Sequence, residues 1–286
     1  MRLDVLAKDG VMDSLVHDVE DLLRHVAEQE ILSRFGQLQR HEIQSKLRPG
    51  DVVTIADLEA ERRLVEGLSK LLPSSAVIGE EDCFRNPKVL DRLDGDLPVW
   101  VIDPLDGTNN FAKGKPCFAM ICALIEGGET QMGWIYDPIA GVCATTRRGE
   151  GVYLSGQKVV IEAPDNLDQM TGSLGDGTRK RLEQRKEDGE ANMPLHLLRY
   201  HCCGREYLDM LVGKIHFALY GGRLMPWDHA AGTLMVEEAG GYARIREDKS
   251  PYEPAVHGHG HGHGEQLLLT PNEHTFDTLH QILFKG

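Results

Sequence analysis

The chain has 286 residues, of which 45 are Asp or Glu and 31 are Lys or Arg, so its formal charge is −14. A negative charge of this size argues against nucleic acid or an anionic membrane as the main partner, because both repel an acidic surface. Hydrophobic residues make up 41% of the chain, which is enough to build the core of one large domain or of two closely packed halves.

The beginning of the chain and its cysteines indicate the compartment. The first four residues include an acid and no signal-like apolar segment, and the longest apolar run, 118–125, is too short to cross a bilayer. The six cysteines show no CxxC spacing, which is typical of reduced thiols. We therefore expect a cytoplasmic protein with no membrane partner.

The first half of the chain, 1–156, alternates helical stripes with short apolar runs. Apolar residues recur at helical spacing in two segments, which predict helices over 11–35 and 58–72. Short runs rich in β-branched residues predict strands. These strands cover 76–78, 99–102, 119–125, 131–136 and 142–146, followed by a hairpin over 147–156. Charged and turn-forming residues predict a surface loop over 84–98.

The second half, 157–286, follows without a linker. Its polar first part predicts a strand end and a surface helix over 165–193. Further strands are predicted over 195–200, 215–220 and 267–270, and further helices over 204–212, 228–239 and 273–284. The His-Gly repeat at 257–264 predicts a mobile surface loop, with capture of a borderline metal ion as the alternative. We predict one compact unit made of an α+β N-terminal half with an antiparallel sheet and an α/β C-terminal half.

The most informative stretch is the turn Asp103-Pro104-Leu105-Asp106-Gly107. It follows a buried strand, and Pro104 ends the ladder of hydrogen bonds because it has no N–H. Two carboxylates so close together repel each other unless a cation or a proton lies between them. The N–H groups after Gly107, at the start of a helix, would suit a phosphate. The alternative is an ordinary turn with two solvated Asp residues.

Three more acids fall at strand ends or helix starts. Asp57 precedes the second helix, where it is either an N-cap or a carboxylate directed at a site. Glu80 follows the strand at 76–78, where it either forms a solvated corner or lines an edge shared with the Asp103 turn. Asp228 begins a helix, whose dipole stabilises an anion. Carboxylate oxygens with a main-chain carbonyl favour Mg²⁺, and two such ions can promote phosphoryl transfer.

Three motifs together carry a family resemblance. Residues 103–111 resemble the signature of the inositol monophosphatase family, 79–82 look like its Gly-Glu-Glu element, and 227–232 look like its Trp-Asp-x-Ala-Ala-Gly element. The segment 51–57 is similar to the one that precedes the family's second helix. The motifs run in the family's order across nearly the whole chain, so the likeness covers both halves.

The resemblance implies a fold of alternating helical and sheet layers, the αβαβα sugar-phosphatase arrangement, and a Mg²⁺-dependent, Li⁺-sensitive phosphomonoesterase. It implies that Glu80, Asp103 and the Leu105 carbonyl hold one Mg²⁺. Asp103, Asp106 and Asp228 would hold a second ion, and a weaker third ion would lie near Glu80. Members of the family are commonly homodimers, so we expect a homodimer here.

The resemblance also implies roles around the reacting phosphate. Thr108, paired with Asp57 and near Glu80, would orient and activate the attacking water. The amides of Gly107 and Thr108 would hold the phosphate, and Asp228 would contribute to the substrate site.

The chain departs from the inositol-selective pattern at two places. Such relatives carry an acid about seven positions before the Asp that matches Asp228, but here that position is Gly221, with Arg223 close by. The stretch 202–206 also differs from the usual small residues. We therefore expect a substrate other than inositol phosphate, with Arg223 either meeting a second anionic group or lying on the surface.

Other functions stay open at this point. The same chemistry could act on fructose 1,6-bisphosphate, 3′-phosphoadenosine 5′-phosphate or histidinol phosphate. A non-enzymatic role is the further alternative, because some relatives are also regulatory partners of RNA-handling machinery. Five clustered acids favour an enzyme that binds a small-molecule phosphate ester.

Overall fold

The computed structural model describes residues 9–46, 52–188, 196–258 and 264–284. The Pro-Gly pair at 49–50 predicts a turn over 46–50. Most of this turn and most of the His-Gly repeat lie outside the described residues. The helices are α1 (Asp9–Val26), α2 (Ile55–Leu71), α3 (Glu80–Arg85), α4 (Thr108–Ala112), α5 (Asp176–Glu187), α6 (Cys203–Leu211), α7 (Pro226–Glu238), α8 (Pro254–His257) and α9 (Glu273–Phe284). Within this part of the chain, every helix is too short or too polar to span a bilayer.

The strands fall into two main sheets and a small hairpin. They are β1 (Ile43–Ser45), β2 (Val52–Thr54), β3 (Ala76–Gly79), β4 (Val99–Asp106), β5 (Ala119–Glu126), β6 (Glu129–Asp137), β7 (Val142–Arg147), β8 (Gly151–Leu154), β9 (Gln157–Val159), β10 (Thr171–Leu174), β11 (His196–Leu198), β12 (Phe217–Gly221), β13 (Tyr242–Ile245) and β14 (Gln266–Thr270). Among the described strands, β3 to β9 form one sheet in sequence order, and β11-β10-β12-β14-β13 form the other. In the first sheet only the β3–β4 pair is parallel among these strands.

Strand β4 is buried on both faces because a helical layer covers each face of its sheet. Trp100 and Ile102 pack with α1 and α2, whereas Val99 and Val101 point to the other face and pack with α6 and α7. This alternation follows from the two-residue period of a strand. A strand buried in this way has a continuous apolar sequence, as 99–102 does.

The second sheet lies on the far side of α6 and α7. Ala218 and Leu269 face these helices, while Phe217 and Leu268 face α5 and α9. The layers therefore run helices, sheet, helices, sheet, helices, which confirms the expected fold class. Strand β9 belongs to the first sheet although it lies beyond residue 156. The division into halves at that residue stays a prediction.

Two local expectations were wrong. A 3₁₀-helix lies over Pro87–Asp94, where a surface loop was expected, and buries Val89, Leu90 and Leu93. Leu90 and Leu93 share one face of this helix because they are three residues apart. Strand β4 continues past Pro104 to Asp106. Its register with β5 shifts between Asp103 and Asp106, so the missing N–H of Pro104 does not interrupt a regular ladder of hydrogen bonds. In addition, strand β13 was not predicted.

The close packing of α6 on α7 depends on Gly232. A Cβ at this position would lie 2.3 Å from ring atoms of Tyr207, which is completely buried. We expect Gly232→Ala to lower the free energy of unfolding by about 1–3 kcal/mol, because ring displacement outweighs the better helix propensity of alanine. Denaturant titration measures the change. Gly177→Ala, in α5 with open space around it, is the matched control, and an equal effect of both substitutions would contradict the packing argument.

Candidate functional site

The end of β4 and the turn after it have a backbone path that only certain residues allow. Asp103 is 3% exposed, and its Oδ1 accepts a hydrogen bond from the Leu105 N–H at 2.9 Å. Gly107 has φ +89°, and a Cβ there would lie 2.9 Å from the carbonyl oxygen of Cys117. Since other residues resist this left-handed conformation, glycine lets the chain pass directly from β4 into α4.

All the predicted site residues except Asp57 and Arg223 line one cleft of about 170 Å³. The described residues that line it are Val52, Glu80, Asp103, Leu105, Asp106, Gly107, Thr108, Asn109, His201 and Asp228. The expected metal ligands from β4, α3 and α7 therefore lie around a common space, together with the residues expected to hold a phosphate. Asp106 and Asp228 are more than a hundred residues apart in the sequence. The packing of α7 against the first sheet brings them together.

The acids of the cleft destabilise one another's charged forms. Burial raises the pKa of Asp103 well above its ordinary value, and the neighbouring carboxylates raise it further. Burial also raises the pKa of Asp228 well above its ordinary value, and the charges of Glu80 and Asp106 add to this effect. A bound cation relieves both costs at once, because it neutralises the repulsion and favours the ionised forms.

Asp106 is held in place from α6. Its Oδ2 accepts hydrogen bonds from the Gly204 N–H at 2.6 Å and from the Cys202 thiol at 3.1 Å. Burial raises the pKa of Asp106, and these hydrogen bonds oppose that shift. A Cβ at Gly204 would lie 2.8 Å from the Cβ of Ala119, so α6 approaches the site closely because this residue is glycine. Neither Cys202 nor Gly204 was predicted as a site residue, and their place in the stretch 202–206 was the only signal.

The oxygen donors fit a hard divalent cation in type and charge. They comprise the carboxylates of the cleft and the main-chain carbonyl of Leu105, the ligands that Mg²⁺ prefers. Within the described residues, however, no three His, Cys, Asp or Glu side chains are grouped tightly enough to hold a metal ion as they stand.

Lys46 is a cleft neighbour that the sequence analysis did not identify. Its Nζ lies 2.7 Å from Glu80 Oε1 and 2.6 Å from Glu81 Oε1, and its side chain is 3% exposed. Burial lowers the pKa of Lys46, but the two carboxylates raise it above the ordinary value overall. The lysine thus stays charged and forms an ion pair with Glu80. No local pattern marks it, because the contact joins residues far apart in the chain.

Asp57, at the start of α2, accepts hydrogen bonds from two residues. Thr54 is the N-cap of this helix, and its N–H and hydroxyl both donate to Asp57 Oδ2, at 2.8 and 2.5 Å. The other oxygen of Asp57 lies 2.8 Å from the Thr108 hydroxyl, which is also 2.9 Å from the Leu105 carbonyl oxygen. Burial raises the pKa of Asp57 to about 6, and its hydrogen bonds oppose the shift. Asp57 is therefore part of a helix cap and also directed at the cleft.

Arg223 lies outside the described lining of the cleft. It is exposed in the segment between β12 and α7. Burial raises the pKa of the Cys83 thiol in α3 to about 11, and the charge of Arg223 is near enough to oppose this shift. Gly221 is exposed at the end of β12. The geometry therefore brings the expected metal and phosphate residues together and leaves Arg223 outside the cleft lining.

Comparison with known proteins agrees with this geometry. The family model described as "Inositol monophosphatase family" matches residues 14–273. Fructose-1,6-bisphosphatase/inositol-1-monophosphatase of Thermotoga maritima is 30% identical over 233 residues, which are 80% of this chain and 84% of that protein. Nus factor SuhB of Pasteurella multocida is 32% identical over 211 residues, which are 72% and 76% of the two chains.

A solved structure described as IMPase/NADP phosphatase complexed with Mg²⁺ and phosphate has the same fold. It superposes with a TM-score of 0.76 at 19% identity, over 96% of this chain and 95% of that chain. The match to the family model spans both main sheets and all three motifs of the site. The chain therefore belongs to the inositol monophosphatase family and is a phosphatase.

Proposed function

We propose that the protein catalyses the Mg²⁺-dependent hydrolysis of a small-molecule phosphate monoester. The observation that carries the proposal is the convergence of Glu80, Asp103, Asp106 and Asp228 on one cleft beside the start of α4. The names of the Thermotoga relative and of the Mg²⁺- and phosphate-bound neighbour support both the ester and the ion. An acidic cleft repels a phosphate by itself, so a divalent cation is needed for the substrate to bind.

The acids divide into two ligand sets that share Asp103. Glu80, Asp103 and the Leu105 carbonyl would hold one Mg²⁺, and Asp103, Asp106 and Asp228 would hold a second. A third, weaker ion would lie near Glu80, where Lys46 now lies 2.7 Å from the carboxylate. When bound, Mg²⁺ lowers the pKa of water and neutralises charge on the phosphate and the leaving oxygen.

The remaining residues position the reactants. Asp57 fixes the Thr108 hydroxyl, which with Glu80 would orient a water for in-line attack on phosphorus. The amides of Gly107 and Thr108 would hold the phosphate, because the first N–H groups of a helix lack partners within it. Asp228 would border the ester group. A contact between Arg223 and the substrate stays a prediction.

The alternatives differ in substrate or in mode of action. The name of the Thermotoga relative favours fructose 1,6-bisphosphate as an alternative to inositol phosphate, while 3′-phosphoadenosine 5′-phosphate and histidinol phosphate rest on the sequence resemblance alone. The name Nus factor SuhB keeps a non-enzymatic role open. The complete set of acids in the cleft favours catalysis. Homodimer formation, Li⁺ sensitivity and a cytoplasmic location stay predictions.

Phosphate release from a panel of these esters tests the proposal. We expect release that needs Mg²⁺, disappears on chelation and returns when Mg²⁺ is restored, because the acids alone cannot neutralise the phosphate. Ca²⁺ at equal concentration is the control, because it binds similar oxygen ligands with looser geometry. An ion with a merely structural role could be replaced by Ca²⁺ without loss of phosphate release. Release that is indifferent to chelation, or absent from every ester, would contradict the proposed function.

A further inference from the structure

Glu61, in α2, is a buried acid that does not line the cleft in the described structure. It is 3% exposed. It lies one helical turn after Asp57, which is 1% exposed, so the two acids share one face of α2. Asp57 is directed at the cleft through its hydrogen bond with Thr108. A second buried acid on the same face needs partners of its own, because burying a carboxylate is costly unless its oxygens are hydrogen-bonded.

The partners of Glu61 are N–H groups in the first turn of α3. Its Oε2 accepts a hydrogen bond from the Glu81 N–H at 2.8 Å, and its Oε1 accepts one from the Asp82 N–H at 2.9 Å. Arg85, at the end of α3, lies 3.5 Å from Oε1. Burial raises the pKa of Glu61 to about 7, and the two N–H groups oppose this shift because they favour the ionised form. Both carboxylate oxygens therefore hold the start of a helix of only six residues.

Helix α3 has no N-cap side chain of its own. Gly79 is at the N-cap position and cannot accept a hydrogen bond with a side chain. Glu61, which precedes Glu81 by 20 positions, takes over that function from another helix. A Cβ at Gly79 would overlap Oε2 of Glu61, although the backbone there, with φ −101° and ψ 154°, suits any residue. Glycine is thus needed at this position for the close approach of the carboxylate.

These contacts lie on both sides of Glu80, the first residue of α3. Gly79, just before it, lies against the Glu61 carboxylate. The residues just after it, Glu81 and Asp82, donate their N–H groups to the same carboxylate. Strand β3, which leads into Glu80, is held by its parallel pairing with β4. The direction in which Glu80 enters the cleft follows from the backbone at this point, and Glu61 fixes that backbone.

We propose that Glu61 is a positioning residue for the metal site, because it holds the start of α3 where Glu80 can act as a ligand of Mg²⁺. The inference rests on the proposed function, in which Glu80 belongs to the first ligand set. Glu61 touches neither the ion nor the substrate and acts through the backbone of α3. Altering groups that orient a metal ligand typically lowers metal affinity by about 10–100-fold. If Glu61 only stabilised α3, its substitution would lower stability and leave the affinity for Mg²⁺ unchanged.

Glu61→Gln tests the proposal because an amide has one acceptor oxygen where the carboxylate has two. One of the two N–H groups of α3 then faces an NH₂ group and loses its acceptor. We expect the affinity for Mg²⁺ alone, measured by calorimetric titration without substrate, to fall about tenfold. The Mg²⁺ concentration that gives half-maximal phosphate release should rise by the same factor.

Asn272→Ala is the matched control for the loss of a helix cap. Asn272 precedes α9, and its Oδ1 accepts a hydrogen bond from the Thr275 N–H at 2.8 Å. We expect this variant to lower the thermal midpoint by about 2–4 °C and to leave the affinity for Mg²⁺ unchanged. Unchanged Mg²⁺ affinity in Glu61→Gln, whatever its thermal midpoint, would overturn the proposal. An equal loss of Mg²⁺ affinity in Asn272→Ala would overturn it as well.

Gly79→Ala displaces the same carboxylate from the other side and replaces Glu61→Gln as the test if that variant does not fold. The new Cβ moves Glu61 away from α3, so we expect a similar loss of Mg²⁺ affinity. The two substitutions together should cost no more than the larger single effect, because they remove the same contact, and additive losses would overturn the proposal. Wild-type protein that binds no Mg²⁺ and hydrolyses no ester would instead contradict the proposed function, and the role of Glu61 would fall with it.

Discussion

Asp106→Asn is expected to lower kcat for phosphate release by about a thousandfold at saturating Mg²⁺. The substitution removes one negative charge from the second proposed ligand set, and charge stabilisation by a bound cation is worth several kcal/mol, or about a factor of ten for each 1.4 kcal/mol. Steady-state assays on the best ester of the panel, with Mg²⁺ titrated for each variant, give the measurement. A shift in Mg²⁺ dependence should accompany the loss of kcat.

The amide substitution is informative because it preserves the local contacts. An asparagine oxygen can still accept the hydrogen bond from the Gly204 N–H, now 2.6 Å from the carboxylate. Since Asp106 is a buried acid with a raised pKa, a neutral side chain should leave the thermal midpoint unchanged or raise it. A variant that keeps more than a third of the wild-type kcat would remove Asp106 from the mechanism.

Glu206→Gln is the matched control for Asp106→Asn. Glu206 is also a buried acid of this region, 2% exposed, but it accepts a hydrogen bond from the Ser173 hydroxyl at 2.5 Å and does not line the cleft in the described structure. We expect this variant to retain activity. If both amides abolished hydrolysis, burial of a charge rather than its place in the cleft would explain the loss.

The acids of the cleft could be predicted from the sequence because each belongs to a local pattern. Asp106 ends β4, Asp103 lies three positions earlier beside Pro104, and Asp228 lies in the first turn of α7, so each position is fixed by its own element. The order of the layers then brings the element ends together. The extent of β4 past Pro104 could not be predicted, because it depends on an irregular register with β5.

Contacts between residues that are far apart in the sequence could not be predicted. Lys46 meets Glu80 across 34 positions, and Gly204 meets Asp106 across 98 positions. Arg223 was selected because it lies two positions from Gly221, but nearness in sequence does not bring it into the cleft lining. Asn110 joins the end of the loop after α4 to the backbone at Tyr200, which no spacing in the sequence indicates.

Thr108→Val is expected to lower kcat by about a hundredfold, because it removes the hydroxyl that would orient the attacking water and keeps the shape of the side chain. General acid–base assistance by a positioned group contributes about 10²–10⁴-fold. The hydroxyl now lies 2.8 Å from Asp57 and 2.9 Å from the Leu105 carbonyl oxygen, so its position is defined from two sides. Thr108→Ser keeps the hydroxyl and is the matched control, with a loss of less than about tenfold expected.

The pH dependence of kcat distinguishes this role from simple packing. Only the ionised form of Asp57 has both oxygens available as acceptors, and burial raises the pKa of this group to about 6. Activity should therefore rise as the pH increases through about 6, or through a lower value once cations in the cleft stabilise the carboxylate. In Thr108→Val the residual activity should lose this inflection, while Thr108→Ser retains it. An inflection that is identical in all three proteins, or a valine variant within fivefold of wild type, would show that the Asp57–Thr108 pair supports the turn and takes no part in activating water.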